Sequence, residues 1–589
     1  MRELRTVLPY LRPYRWTFAG GLALVLVSNY FLTLGPKYLE LGIDALEQGN
    51  PFAEVRRAGL LLIAVALLGG VARYGMRELL NSGSRKVEYR IRNALFEHLQ
   101  RLSSEFSDRF ATGDVMARTT NDLLAVRMVI GPAMMYLVDT ITRGALIGPR
   151  MIAISPQLTL LAILPLAVLP VAMIVLGRLI HDRSMKVQSQ FATLTDHIRE
   201  NLTGVRVVRA YRQEAAEIAH LGRLNEEYVG RNMALAAVQG AFRPLFTFLG
   251  GVSAVVVLAV GGRLVIGGSV TVASFIAFDV YLAMLIWPLI ALGWVVNLVQ
   301  RGAASMGRIN VLFQQQPAIV SPPNPVPLAP ARGGRTITFD RVWFRYPNAH
   351  ERGWVLQDIS FHVPAGRSLA IVGQTGAGKS TLVDLLVRTY DPDKGKILLD
   401  GVEVRDLALE DLHGAIGFVP QETFLFSQTL RENILMGTDD ASRLTDVTET
   451  AQLDETIAGL RDGLDTMLGE RGVNLSGGQK QRTAIARALA IDPPVFVLDD
   501  ALSAVDAHTE AKILTALRGA LAERTSIIVS HRLAAVREAD WILVLEMGSI
   551  VEQGRHEDLI ARGGRYWSLL RKQQLEEELE EAGKEGVGG

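Results

Sequence analysis

The sequence predicts an α-helical membrane domain of six spans followed by an α/β domain of the wound type. Three observations carry this. Six apolar stretches of about the 20 residues that a bilayer-crossing helix needs lie within the first 300 residues. A proline-dense break follows them. Beyond it, strand-like runs alternate with helix-like runs, the pattern of a sheet covered by helices. Lys+Arg and Asp+Glu both total 61, so the net charge is zero, which argues against a nucleic-acid binder with its usual basic domain or stripe. The absence of cysteine excludes disulfides, thiolate metal sites and a cysteine nucleophile. Met1-Arg2-Glu3-Leu4-Arg5 lacks the apolar core of a secretory signal.

Leu4 to Tyr14 is amphipathic and is expected as an interfacial helix leading into the first span. The spans are expected at Phe18–Gly35, Ala58–Met76, Met128–Ile147, Leu158–Ile180, Leu245–Gly262 and Val270–Val299. The third contains Asp139 and Arg143, spaced to pair along one helix face or to face a cavity. Arginines crowd the opening segment, the stretch from Arg77 to Arg127, and the connection between spans four and five. The positive-inside tendency therefore places both termini and the two long connections in the cytoplasm, with spans two to five running on beyond the bilayer. Pro317, Pro322, Pro323, Pro325, Pro327 and Pro330 mark a linker, since proline cannot propagate a helix. The expected domains are 1–313 for the membrane domain with its interfacial helix, 314–334 for the linker, 335–570 for the α/β domain, and 571–589 for a charged tail.

The α/β domain carries the chemistry. Gly373-Gln374-Thr375-Gly376-Ala377-Gly378-Lys379-Ser380 follows an apolar strand, Ser368–Val372, and opens a helix expected over Thr381–Thr389. This is the context a phosphate-binding loop requires: glycines let backbone N–H groups wrap phosphates, Lys379 adds charge, and the Ser380 hydroxyl ligates Mg²⁺. Val495–Asp499 is a second buried strand, and its terminal carboxylate suits a hydrated Mg²⁺. The domain is thus expected to be a P-loop nucleotide-binding domain for ATP and Mg²⁺. Between these elements, Leu475-Ser476-Gly477-Gly478-Gln479 begins a helix and offers N–H and O–H groups to another phosphate.

Leu475–Gln479 resembles the signature of ABC transporters, and the order of motifs resembles type IV exporter half-transporters over nearly the whole chain. The resemblance implies that Tyr346 stacks on adenine and that Gln421 contacts Mg²⁺ and the attacking water. It implies that Ser503-Ala504-Val505-Asp506 crosses a dimer interface, that His531 contacts the γ-phosphate, and that Glu470-Arg471-Gly472 faces the coupling helices. Thr112–Arg118 and Asn201–Tyr211 resemble the two coupling segments of the membrane half.

One position departs from the family. The general base is usually a Glu after the strand-end Asp; here it is Asp500, shorter by about 1.5 Å. General-base work needs heavy atoms within about 3 Å of each other, so this chain's own site is expected to hydrolyse slowly. Within the family this resembles the Asp-bearing half of bacterial heterodimeric multidrug exporters of the TmrAB kind. The resemblance implies a non-identical partner with a Glu, completed by this chain's Ser476–Gln479, a bacterial inner-membrane location, and export of small amphipathic compounds, lipids or peptides. Two alternatives stay open: a homodimer using Asp500 as base, and an ATP-gated channel or regulatory module. A soluble ATPase and an importer are disfavoured by the six spans and by the single chain. Candidate cavity residues are Asp139, Arg143, Asp279, Tyr281, Trp287, Trp294, Asn297 and Gln300.

Overall fold

The computed structural model describes residues 2–49, 51–331, 333–347, 353–502, 507–530 and 536–586. They form two units. One comprises Met1–Gln100 and Thr112–Gln315, the other Arg101–Ala111 and Gln316–Gly589.

The first unit is helical and contains six helices long and apolar enough to cross a membrane. Short helical turns over Arg2–Tyr14 lead into α1 (Arg15–Glu47), followed by α2 (Phe52–Gln100). After the short α3 (Ser104–Arg109), which belongs to the second unit, come α4 (Thr112–Ile154) and α5 (Pro156–Thr203). A single turn, α6 (Val205–Ala210), precedes α7 (Glu214–Val256), whose apolar end runs on through Ile266, and then α8 (Val272–Phe313). The expected third span is the upper part of α4. Its Asp139 and Arg143 are both buried and pair at 3.2 Å, and the Arg143 Nε also donates to Asn29 Oδ1 of α1 at 3.1 Å. The pair is therefore a joint between spans one and three. Charge at this depth is stable only when partnered, and the partner from α1 lies 114 residues away, where helical spacing carries no signal.

α4 widens to π-type turns at Arg118–Asp122 and Val129–Ala133, the second around Pro132, which lacks a backbone N–H. Beside these turns α4 meets α8 closely: a Cβ on Gly302 would lie 2.2 Å from Val129 Cγ2. Buried Asp122 accepts from Arg308 Nε at 2.8 Å and from the Ser305 hydroxyl at 3.0 Å. The chain's start is fastened to the same helix. The Thr6 hydroxyl donates to Asn310 Oδ1 at 3.0 Å, and Asn310 Nδ2 donates to Glu3 Oε2 at 2.8 Å. Of the cavity candidates, Tyr281 is in the core, its hydroxyl donating to the Thr33 carbonyl at 3.2 Å. Asp279, Trp287, Trp294, Asn297 and Gln300 are exposed on α8, and α8 continues unbroken through Pro288.

The second unit holds two sheets. The antiparallel one has the order β2 (Leu356–Val363), β1 (Ile337–Phe344), β4 (Lys394–Leu399), β5 (Val402–Glu403). The other has the order β10 (Ser549–Gly554), β9 (Trp541–Glu546), β3 (Ser368–Gly373), β8 (Thr525–Val529), β7 (Val495–Asp499), β6 (Ile416–Val419), parallel except for β10. Strands β3 and β7 read as continuous apolar runs because both faces are covered. A second hydrophobic core, built on Leu475, Ile485, Leu489, Leu430 and Ile434, holds α10 (Gly477–Ala490). The charged tail extends a final helix, α12 (Arg565–Gly586), which follows α11 (Ala507–Leu521).

Candidate nucleotide site

The parallel strands converge at their carboxyl ends, where ligands of wound α/β sheets collect. Ile371 of β3 and Asp499 of β7 both pair with Val529 of the intervening β8, so the loops leaving β3 and β7 start side by side. The β3 loop turns sharply into α9 (Lys379–Leu386), which starts two residues before the expected Thr381 and ends three before the expected Thr389. The turn requires glycine. At Gly373 φ is 157° and a Cβ would lie 2.3 Å from the Leu545 carbonyl; at Gly378 φ is 99° and a Cβ would lie 2.8 Å from Leu356 Cδ2. Gln374, Thr375, Gly376 and Ala377 complete the turn between them.

Lys379 Nζ donates to the carbonyls of Gly373 at 2.9 Å and Gln374 at 3.1 Å, folding back over its own loop. Burial pulls its pKa down, opposed by Asp500 and Asp499. The Ser380 hydroxyl donates to Asp499 Oδ1 at 3.1 Å. Burial raises the Asp499 pKa, the Ser380 bond lowers it, and neighbouring Asp500 raises it further. Asp384, one turn further along α9, is pushed up to about 6 by burial and by Asp499. Gln421 is exposed two residues beyond β6, the strand paired with β7. Asp500 is half-buried, with φ 50°, and its N–H donates to the Val529 carbonyl at 2.9 Å.

Tyr346 flanks the cradle. Its hydroxyl lies 3.0 Å from Thr381 Oγ1, and its ring meets Phe344 and Tyr390 edge-on at 5.1 and 5.4 Å. Ser476 caps α10 reciprocally with Gln479: Ser476 N–H donates to Gln479 Oε1 at 2.8 Å, and Gln479 N–H donates to Ser476 Oγ at 3.3 Å. With Gly477 and Gly478 this leaves a bare helix N-terminus with little side-chain cover. Leu475 and α10 pack in the second core and α9 in the first, so the two phosphate-type elements are held apart within the cassette. Asp506 and His531 lie outside the described residues. In Glu470-Arg471-Gly472, Arg471 takes a left-handed φ of 52°.

The piece of the membrane-side sequence grouped with this unit is 101–111, just short of the expected Thr112–Arg118. It is anchored by the Tyr390 hydroxyl, which donates to Asp108 Oδ2 at 2.8 Å. Sequence reasoning missed Asp108, Asp384 and Tyr390. Each acts through a tertiary contact, and none belongs to a spacing pattern. The Asn201–Tyr211 segment breaks at Gly204 and exposes Leu202, Val207 and Tyr211.

Residues 18–289 match the profile of the ABC transporter transmembrane region, and residues 356–503 match that of the ABC transporter. The chain is 38% identical to the probable multidrug resistance ABC transporter ATP-binding/permease protein YheI of Bacillus subtilis (strain 168), over 96% of this chain and 97% of that protein. It is 32% identical to the ATP-dependent lipid A-core flippase of Syntrophus aciditrophicus (strain SB), over 99% and 97%. A bacterial Atm1-family ABC exporter solved with ATP bound superposes with a TM-score of 0.78 at 28% identity, covering 95% of this chain and 99% of that one. Six apolar helices, a glycine cradle at the end of a parallel sheet and these likenesses together make the chain an ABC transporter, an exporter half carrying its membrane and nucleotide-binding domains on one polypeptide.

Proposed function

We propose that the chain is one of two non-identical subunits of an exporter that moves amphipathic or hydrophobic compounds, such as drugs, lipids or peptides, out of a bacterial cytoplasm. Its own ATP site turns over slowly, and its Ser476–Gln479 helix end completes the partner's working site. The chain sits in the inner membrane with both termini and the cassette cytoplasmic. The observation that carries the asymmetry is Asp500. Its backbone is held in the left-handed region by the bond to the Val529 carbonyl, so main-chain movement does not make up for the missing methylene.

The cradle residues fit ATP and a hydrated divalent cation. The loop leaves room only for glycine at 373 and 378, and Ser380 and Asp499 place a hydroxyl beside a carboxylate whose burial disfavours its bare charge. Mg²⁺, when bound, supplies charge neutralisation on the β- and γ-phosphates. Lys379 exchanges its loop carbonyls for phosphate oxygens, Tyr346 offers its ring to adenine, and Gln421 and His531 sense the γ-phosphate. By the family resemblance, Asp506 belongs to the interface with the partner cassette. Exporting work follows from ATP's preference for paired cassettes, which shifts the membrane domains between two orientations. The sparse cover over Pro156–Thr203, where 12% of the most apolar window is buried, supports a partner supplying the remaining helix contacts.

Native mass spectrometry of the complex, extracted through a tag on this chain, tests the reading. A second subunit with Glu after its strand-end Asp is expected. Two copies of this chain would overturn the asymmetry and make Asp500 the base.

A further inference from the structure

A continuous line of side chains joins the cradle to segment 101–111 within the cassette unit. Thr381, adjacent to Ser380, meets the Tyr346 hydroxyl at 3.0 Å. The Tyr346 ring contacts Tyr390 edge-on, with centroids 5.4 Å apart and planes at 89°. The Tyr390 hydroxyl donates to Asp108 Oδ2 of α3 at 2.8 Å. Burial and the Asp108 bond both make the Tyr390 phenol harder to ionise, so it remains a donor. Each joint is directional. An edge-to-face ring pair loses energy when one ring turns, and a phenol–carboxylate bond is charge-assisted.

The far end of this line has room to move. A cavity of about 350 Å³ lies beside it, lined by Ser103, Glu105, Ala318, Phe344, Tyr390 and Asp393. Segment 101–111 is also tied to the linker by a bond from the Ala318 N–H to Ser103 Oγ at 3.2 Å. The Tyr390 phenol thus gives a shift of the Tyr346 ring a direct route to α3, beside a cavity rather than solid packing.

We propose that Tyr390 is a positioning residue that makes segment 101–111 respond to nucleotide at this chain's own cradle. Bound ATP, even where it is slow to hydrolyse, then acts as a ligand that sets Asp108. This rests on the nucleotide reading of Tyr346 and Lys379 given above, and not on the partner's identity.

The absence of cysteine gives a direct test. Ala111→Cys carries an environment-sensitive fluorophore in the intact complex, with any partner cysteines replaced. Photolabelling of this chain by 8-azido-ATP reports occupancy of its own cradle. Tyr390→Phe keeps the ring but removes the bond. It is expected to cut the ATP-induced fluorescence change by about fivefold or more, while half-saturation of photolabelling stays within about twofold. Asp108→Ala should do the same, and Asp108→Asn, which keeps an acceptor oxygen, should restore the response. A full response in Tyr390→Phe overturns the proposal. So does a parent complex whose fluorophore is silent at saturating photolabelling, or a Tyr390→Phe variant that loses occupancy in parallel with response. Failure of 8-azido-ATP to label this chain at all would instead remove the nucleotide reading on which the proposal stands.

Discussion

At the scale of single residues, Asp500 and Asp384 are two carboxylates with different consequences. Asp500 is one methylene shorter than a Glu at that position, and on the proposed asymmetry Asp500→Asn should leave ATP turnover of the complex within about twofold of the parent. A phosphate-release assay checks this, and a fall to background would make Asp500 a working base. Asp384 is held at about 6, well above its ordinary 3.8, chiefly by burial. An acid whose folded pKa is raised is best tolerated below its unfolded pKa. Its contribution is lost as pH climbs towards 6, and the penalty is complete above that. Asp384→Asn should therefore stabilise the nucleotide-free complex at pH 7.5 by about 1–2 kcal/mol after allowing for partial solvent access. In thermal unfolding that corresponds to a rise of about 2–6 °C for a domain of this size. The gain should shrink as the pH is lowered towards 5, and an equal gain at both pH values would refute the assignment. None of this was legible in the sequence, where Asp384 is one polar position on a helix; its shift comes first from burial and then from Asp499, 115 residues away, and both arise only from the tertiary fold.

At the scale of elements, what the sequence made plain was what is local. Glycine spacing identified the cradle because the turn after β3 excludes a Cβ at two positions. Ser476 and Gln479, three apart, identified the start of α10 because the capping pair is a short-range interaction. Apolar runs identified the six spans, since in lipid each helix must satisfy its own backbone. Helix ends were less legible: α9 stops at Leu386, followed by a left-handed Arg388 that no residue-type preference signals. Also hidden was the pairing of elements distant in sequence, such as Asn29 with Arg143 or Asp108 with Tyr390. The α10 N-terminus carries its own prediction. Ser476→Arg replaces a small capping residue with a bulky cation at an end proposed to face a partner's ATP. It should cut turnover of the complex by about 10²-fold, comparable to losing a key donor in other sites. Unchanged turnover would show that this helix end completes no working site.

At the scale of the whole molecule, the proposed asymmetry makes the two ATP sites separable. Lys379→Ala should abolish photolabelling of this chain by 8-azido-ATP yet leave turnover of the complex on the order of half the parent's or more. Complete loss would mean that this chain's cradle is the one that turns over. The fold class was legible from hydropathy and alternation alone, whereas the grouping of 101–111 with the cassette was not, because its contacts are made with residues far along the chain, such as the phenol of Tyr390, 282 residues downstream of Asp108. The bonds of Glu3 and Thr6 to Asn310 also bear on how the chain is made. A segment made ahead of all six long apolar helices has its docking partner in the last turn of α8. It must therefore wait, undocked, while some 300 further residues are synthesised and six apolar helices enter the bilayer. Closure of the membrane unit is then a late biogenesis event, and a nascent chain stalled before Asn310 would hold its spans without the clasp that joins their two ends.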